Sequence, residues 1–264
     1  MLRGLQYARV LRRLAGLAAL GLGAALPGTT LAEWSVSGDI EHFRWRETIA
    51  PSVAESGVRY GVGGQWLPAK DTGWLLGWKG RLYRGSVDYD GATLFGGAPL
   101  RSTTSYTGVL NEFLAVYRPG GTRFGALDIV TGLGFDVWER RLSARQNETY
   151  TVAFLRLGVD YGARAAGGWF GNGGVKQPIF VREYAHLRDN GFDQNPILHP
   201  GRGASVYGQL GYRFSSRWSL AGYYDGYRFG RSRAEPATLG GASFTVFQPK
   251  SRMEVLGLRL AFSF

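Results

Sequence analysis

The sequence predicts an all-β protein: a closed antiparallel transmembrane β-barrel of about ten strands, with eight or twelve as the neighbouring possibilities. Three observations carry that expectation. The last nine residues alternate apolar and polar side chains; the first thirty-two read as an export segment; and between them, strand-like stretches recur at the length of about 9–11 residues that a tilted strand needs to cross a bilayer.

In the terminal stretch, Leu256, Leu258, Leu260, Phe262 and Phe264 fall on one face, and Gly257, Arg259, Ala261 and Ser263 on the other, because strand side chains alternate with a period of two. One face suits lipid and the other does not. At the N-terminus, Arg3, Arg9, Arg12 and Arg13 flank an apolar run from Leu14 to Leu26, Pro27-Gly28 breaks it, and Thr30-Leu31-Ala32 supplies small residues for cleavage. That run is too short for a membrane helix, which needs about 20 residues, and it has the build of a signal peptide. The expected domains are therefore a cleaved segment 1–32 and a barrel 33–264. Removing the segment leaves 27 basic against 20 acidic residues, a net +7.

Composition narrows the alternatives. The 41 glycines are scattered through alternating stretches rather than clustered, which excludes collagen-like and linker readings. No cysteine is present and only three histidines, so disulfide stapling is excluded and a metal site is not expected. Nothing suggests a cofactor. An exported basic chain without a recognition motif is not expected to meet nucleic acid; membrane lipid, and lipopolysaccharide in particular, is the expected anionic partner. Oligomeric state is not legible.

The chain ending resembles the terminal strand of bacterial outer-membrane β-barrels. That resemblance implies an outer-membrane location and reading of Leu260, Phe262 and Phe264 by the barrel assembly machinery.

The elements follow in order. Trp34, Val36, Gly38 and Ile40 point outward on a first strand, opposite Ser35, Ser37, Asp39 and Glu41. A second carries Val58, Tyr60, Val62 and Trp66 outward against Arg59, Gly61, Gly63 and Gln65, and Pro68–Gly73 turns it. Trp74, Leu76, Trp78 and Leu82 define the third, with Lys79 and Arg81 inward; residues 85–103 then read as a long Gly-rich loop. On the fourth, Tyr106 to Tyr117, Glu112 is placed inward because a charge costs more than an amide in lipid. The fifth sets Leu127, Ile129, Leu133, Phe135 and Val137 against Asp128 and Asp136, and the sixth sets Leu155, Leu157, Val159 and Tyr161 against Arg156 and Asp160. Pro178 predicts a bulge or break in the seventh, Trp169 to Tyr184. Val206, Leu210, Tyr212 and Phe214 mark the eighth, Trp218, Leu220 and Tyr224 the ninth, and the terminal stretch the tenth. Four short connections alternate with five longer ones, and aromatic residues from Trp34 to Phe264 collect at the end with the short turns, expected to be periplasmic.

These registers send seven basic residues (Arg59, Lys79, Arg81, Arg156, Arg182, Arg213, Arg259) and seven acidic ones (Asp39, Glu41, Glu112, Asp128, Asp136, Asp160, Asp225) into the lumen. In a narrow barrel such charges pair and fill the interior. The expected function is then a structural barrel, or one passing small polar solutes at best. Strand count and one motif also resemble the omptin family of outer-membrane proteases, whose groove carries an Asp-x-Asp pair and an Asp-x-His pair. Asp88-Tyr89-Asp90 matches the first pair; His186, with Glu183 and Asp189 each three residues away, does not match the second. The resemblance implies an alternative, a surface protease using Asp88, Asp90, His186 and Asp189. A third reading is an adhesin or receptor acting through the loops at 85–103 and 229–251.

Overall fold

The computed structural model describes residues 32–93, 97–119, 127–162 and 167–264. Residues 1–31 of the expected signal peptide, Gly120–Thr122 of the fourth strand's turn, and loop residues Leu94 and Phe95 lie outside them.

Among the described residues fourteen strands are present: β1 (Ala32–Thr48), β2 (Val53–Pro68), β3 (Gly73–Ala92), β4 (Pro99–Arg118), β5 (Leu127–Arg141), β6 (Asn147–Tyr161), β7 (Gly168–Ala185), β8 (Ile197–Leu198), β9 (Gly201–Gly203), β10 (Ser205–Arg213), β11 (Trp218–Gly230), β12 (Glu235–Leu239), β13 (Ala242–Val246) and β14 (Lys250–Ser263). β1 to β7 pair in sequence, β7 pairs with β10, β10 with β11, β11 with β14, and β14 with β1. That ring closes a ten-strand antiparallel barrel. Short β8 and β9 add to the outer ends of β7 and β11.

Alternation explains the closure. Leu256, Leu258 and Leu260 on β14 pair with His42, Ile40 and Gly38 on β1, and the same leucines are 64, 55 and 45 % exposed. Exposed apolar side chains recur at this level on the other wall strands, for example Leu76, Leu157 and Leu210. An apolar band of this extent on a closed barrel belongs in hydrocarbon. Below it, aromatic pairs form a ring: Trp34 with Trp66 at 6.3 Å, Trp74 with Tyr117 at 5.2 Å, Trp169 with Tyr212 at 5.4 Å and Trp218 with Phe262 at 4.9 Å.

Two expectations are corrected. Residues 85–103 are not mainly loop: β3 runs to Ala92 and β4 starts at Pro99. With 20 residues each and a rise of about 3.4 Å per residue, these strands far outgrow the bilayer. Chain length expected in loops is built into wall instead. The second correction concerns Arg182. A register shift at Ala153/Phe154 opposite Pro178–Phe180 makes a bulge, so Ile179 and Phe180 are both exposed and the parity of β7 flips above it. Val181 and Glu183 point inward; Arg182 points out of the barrel, with its guanidinium 5.9 Å from the Tyr184 ring.

At the outer end, β12 and β13 form a hairpin whose Gly240 and Gly241 take φ of +55° and +84°, the left-handed pair that a two-residue hairpin turn requires. It packs on the segment after β7: Ala237 joins buried Ala185, Leu187 and Phe192, and Thr238 N–H donates to Asp193 Oδ1 at 2.8 Å.

Candidate functional site in the barrel interior

The inward faces stack into layers. Nearest the aromatic ring, Leu75, Val116 and Val130 are buried together, with Leu67 and Leu114 against them. Arg118 joins this level, bonding Asp128 Oδ2 at 3.0 Å and the Lys70 carbonyl at 2.6 Å.

Above lies the main charge network. Glu41 takes Arg59 Nη2 at 2.6 Å, the Tyr223 hydroxyl at 2.7 Å and the Arg81 guanidinium. Arg81 Nε also reaches Asp39 at 2.7 Å, and Arg259 grips Asp39 through two nitrogens at 2.7 and 3.1 Å. Glu112 receives Arg156 at 2.8 Å and lies 3.7 Å from Lys79. Lys176 pairs with Asp225 at 2.6 Å. Asp136 accepts hydroxyls from Tyr83 at 2.9 Å and Tyr227 at 3.0 Å. Desolvated carboxylates are tolerated only with partners of this kind. Asp160 faces inward opposite Asp128, and Arg213 sits against the Phe170 ring at 5.4 Å.

Glycines make room for the larger partners. Gly257 lies beneath the Tyr223 ring and Gly134 beneath the Phe154 ring, so a Cβ at either position would collide with the aromatic side chain. These cross-strand pairs let bulky rings lie flat across the neighbouring strand.

Over the network sits an aromatic layer. Trp138 stacks on Tyr150 at 4.9 Å and on Tyr227 at 5.9 Å, and Trp45 meets Tyr150 edge-on at 5.6 Å. None of these rings exceeds 2 % exposure. Arg140 lies beside them, holding Glu47 at 3.1 Å, Glu55 at 2.5 Å and Glu148 at 2.8 Å. Tyr106 donates to Glu55 at 2.5 Å. Glu183 is buried with the same group, and its Oε2 has no hydrogen-bond partner among the described residues.

Two small spaces lie between the layers. One of about 50 Å³ is lined by Lys79, Arg81, Arg156, Tyr207, Tyr223 and Arg259, among others. Another of about 20 Å³ lies beside Tyr83, Asp136 and Tyr227. A water needs roughly 10–15 Å³ of such room, so the first holds a few waters and the second one.

Of the fourteen lumen charges read from the sequence, all but Arg182 face inward, and most enter this network. The reading missed Glu47, Glu55, Arg118, Arg140, Glu148, Lys176 and Glu183. Glu47 shares parity with Glu41, and Glu55 with Arg59, so carrying the alternation past the bilayer would have found them. The protease candidates are not brought together. Asp88 and Asp90 point outward from β3, where Asp90 lies 3.5 Å from Arg101 in an exposed pair. His186 caps β7, its Nε2 3.1 Å from Thr149 Oγ1 and its ring 4.7 Å from Tyr184, while Asp189 is exposed in the short 3₁₀ turn Leu187–Asn190. β4, β5 and β6 separate the two sets along the wall.

A closed antiparallel wall with an apolar outside and a charged, filled inside defines a transmembrane β-barrel of the outer-membrane type. No protein-family model matches the sequence, and no curated protein matches it. Among solved structures, the chain is similar to the outer membrane protease OmpT from Escherichia coli, with 9 % identity over 91 % of this chain and 98 % of that one and a TM-score of 0.46. It is similar to the transport unit of the autotransporter AIDA-I from Escherichia coli, at 10 % identity, 95 and 97 % coverage and a TM-score of 0.43. The toluene transporter TodX from Pseudomonas putida gives 8 % identity, 90 % coverage of each chain and a TM-score of 0.41.

Proposed function

We propose that the chain is exported by its first 32 residues, inserted by the outer-membrane assembly machinery through the Leu260, Phe262 and Phe264 face, and serves there as a structural barrel with a closed lumen. The observation that carries the reading is the stack of filled layers: apolar at the base, ion-paired in the middle, aromatic above. The two spaces beside the charge network have room for no more than a few waters, and a hydrated ion entering would have to break pairs that are already desolvated.

Single-channel recording in planar bilayers tests this. The parental barrel is expected to be silent at all voltages, whereas replacing Trp138 and Tyr150 by Ala opens the aromatic layer and raises the frequency of conducting events. Steady conductance from the parent would overturn the closed-lumen reading and leave passage of small polar solutes in its place.

A further inference from the structure

We propose that a row of arginines on the outer wall binds the phosphate groups of an outer-leaflet glycolipid headgroup. Arg228 on β11 stands directly opposite Arg252 on β14, and Arg252 directly opposite Arg46 on β1. All three point out of the barrel and are exposed, as are Arg44 and Lys250 beside them. Arg252 reaches one acid, Glu254, at 2.5 Å; Arg46 and Arg228 have no ion-pair or hydrogen-bond partner among the described residues.

Like charges directly opposed across strands destabilise a sheet, so three in a row call for an anion from outside. Arginine, with its planar fork of donors, is the side chain suited to gripping phosphate. The row begins where the apolar band ends: Leu256 and Leu258 on β14 and Ile40 on β1 lie just below it. Acyl chains lying on that band would bring a headgroup to this height.

Elsewhere on the described wall outward arginines stand singly, Arg84 opposite Tyr60 and Thr107, and Arg182 opposite Thr151. Above the band, the outer faces of β2, β4 and β6 carry Ser56, Thr103, Ser105, Thr107, Thr149 and Thr151. Arg141 is matched by Glu139 at 2.8 Å and Arg101 by Asp90 at 3.5 Å. A girdle serving only solubility would not concentrate unmatched charge over three adjacent strands.

The inference rests on the outer-membrane reading above, and its test separates the two. The full barrel, its R46Q/R228Q/R252Q variant and an R84Q/R101Q control are inserted into phosphatidylcholine bilayers, with insertion checked by heat-modifiable mobility and protease protection. Binding of diphosphorylated lipid A and of dephosphorylated lipid A is then measured, with inorganic phosphate as competitor. Each arginine at a charged lipid surface is worth about a fivefold change, so the triple variant is expected to lose about a hundredfold. Dephosphorylated lipid should bind the parent as weakly as diphosphorylated lipid binds the triple variant, and the control should bind like the parent. Equal binding of the two lipids by the parent, equal loss in the control, unchanged binding by an inserted triple variant, or full displacement by inorganic phosphate would each overturn the headgroup site. A parent that fails to insert would overturn the outer-membrane reading and this inference with it.

Discussion

At the scale of single residues, Glu41 is the centre of the lumen. It is 1 % exposed and accepts from Arg59, Arg81 and Tyr223. Glu41→Ala leaves two guanidinium groups short of their carboxylate and is expected to lower stability by about 3–5 kcal/mol. Adding Arg59→Met should recover part of the loss, because an uncompensated buried charge is then gone. Urea titration of the refolded barrel measures both. The opposite imbalance holds around Arg140, where Glu47, Glu55, Glu148 and Glu183 surround one cation. Burial and the neighbouring Glu148 push the Glu183 carboxyl well above the usual carboxylate range, and Glu183→Gln keeps the shape while removing the need either to bury a further charge or to take up a proton. It should raise stability by about 1 kcal/mol, which in a barrel of this size moves the unfolding midpoint by about 2–4 °C. His186 stands in the connection after β7. Burial holds its imidazole pKa below the ordinary value, against a smaller opposing pull from Asp189, with Thr149 and Tyr184 as its other neighbours. A histidine depressed in the folded state contributes stability that is complete above the free value of about 6.5 and is lost as pH falls through it. The protection factors of the amides over 187–196, taken relative to free-peptide exchange at each pH, should therefore fall between neutral pH and about pH 5, while the transmembrane strands stay protected. His186→Gln should flatten that response.

At the scale of elements, the bulge in β7 decides which side chains enter the lumen. A straight strand from Trp169 would put Arg182 inside; the extra residue at Pro178–Phe180 puts Glu183 there. The chain has no cysteine, so single cysteines report orientation cleanly. Cysteine at 182 should react with a membrane-impermeant maleimide much faster than cysteine at 183, and the reverse would restore the straight strand. This element shows what could and could not be read in advance. Stretches whose alternation is unbroken, such as 256–264 at the chain end and 153–161 in the bilayer half of β6, were legible, because lipid and lumen impose opposite chemistry on alternate positions. Pro178 signalled a disturbance, but one residue cannot say whether a strand bulges or stops, so the parity beyond it stayed hidden. The outer halves of β1 to β6 were hidden for another reason. Above the bilayer the outer face turns polar and the inner face mixes charged with apolar residues, as in Arg44-Trp45-Arg46-Glu47, and the contrast that reveals a strand in lipid fades. The Arg140 cluster lies in that stretch and was missed with it, and Asp88-x-Asp90 was read as loop when it is the water-facing side of a wall.

At the scale of the whole molecule, the apolar band is narrow. On β14 it spans Leu256 to Phe264, about the 9–11 residues that a tilted strand needs, between the aromatic ring below and Glu254 with Arg252 above. Insertion into phosphatidylcholine vesicles should fall as acyl chains lengthen, because a band this size matches a thin membrane, as the bacterial outer membrane is. Yields that do not vary with chain length would show that the band does not set the fit. The lumen has a consequence for the order of events during assembly. Tyr223 and Glu41 are 182 residues apart in the chain, Arg259 and Asp39 220, Tyr227 and Asp136 91. Pairs within one hairpin, such as Glu41 with Arg59, can form early, but these three contacts need strands far apart in the chain, and until those strands meet, Asp39, Asp136 and Tyr223 keep their water. The part of the interior that spans the seam is therefore assembled late, and once made it resists being undone a strand at a time. A barrel built this way is committed by its final seam, with no half-closed form sharing its stability.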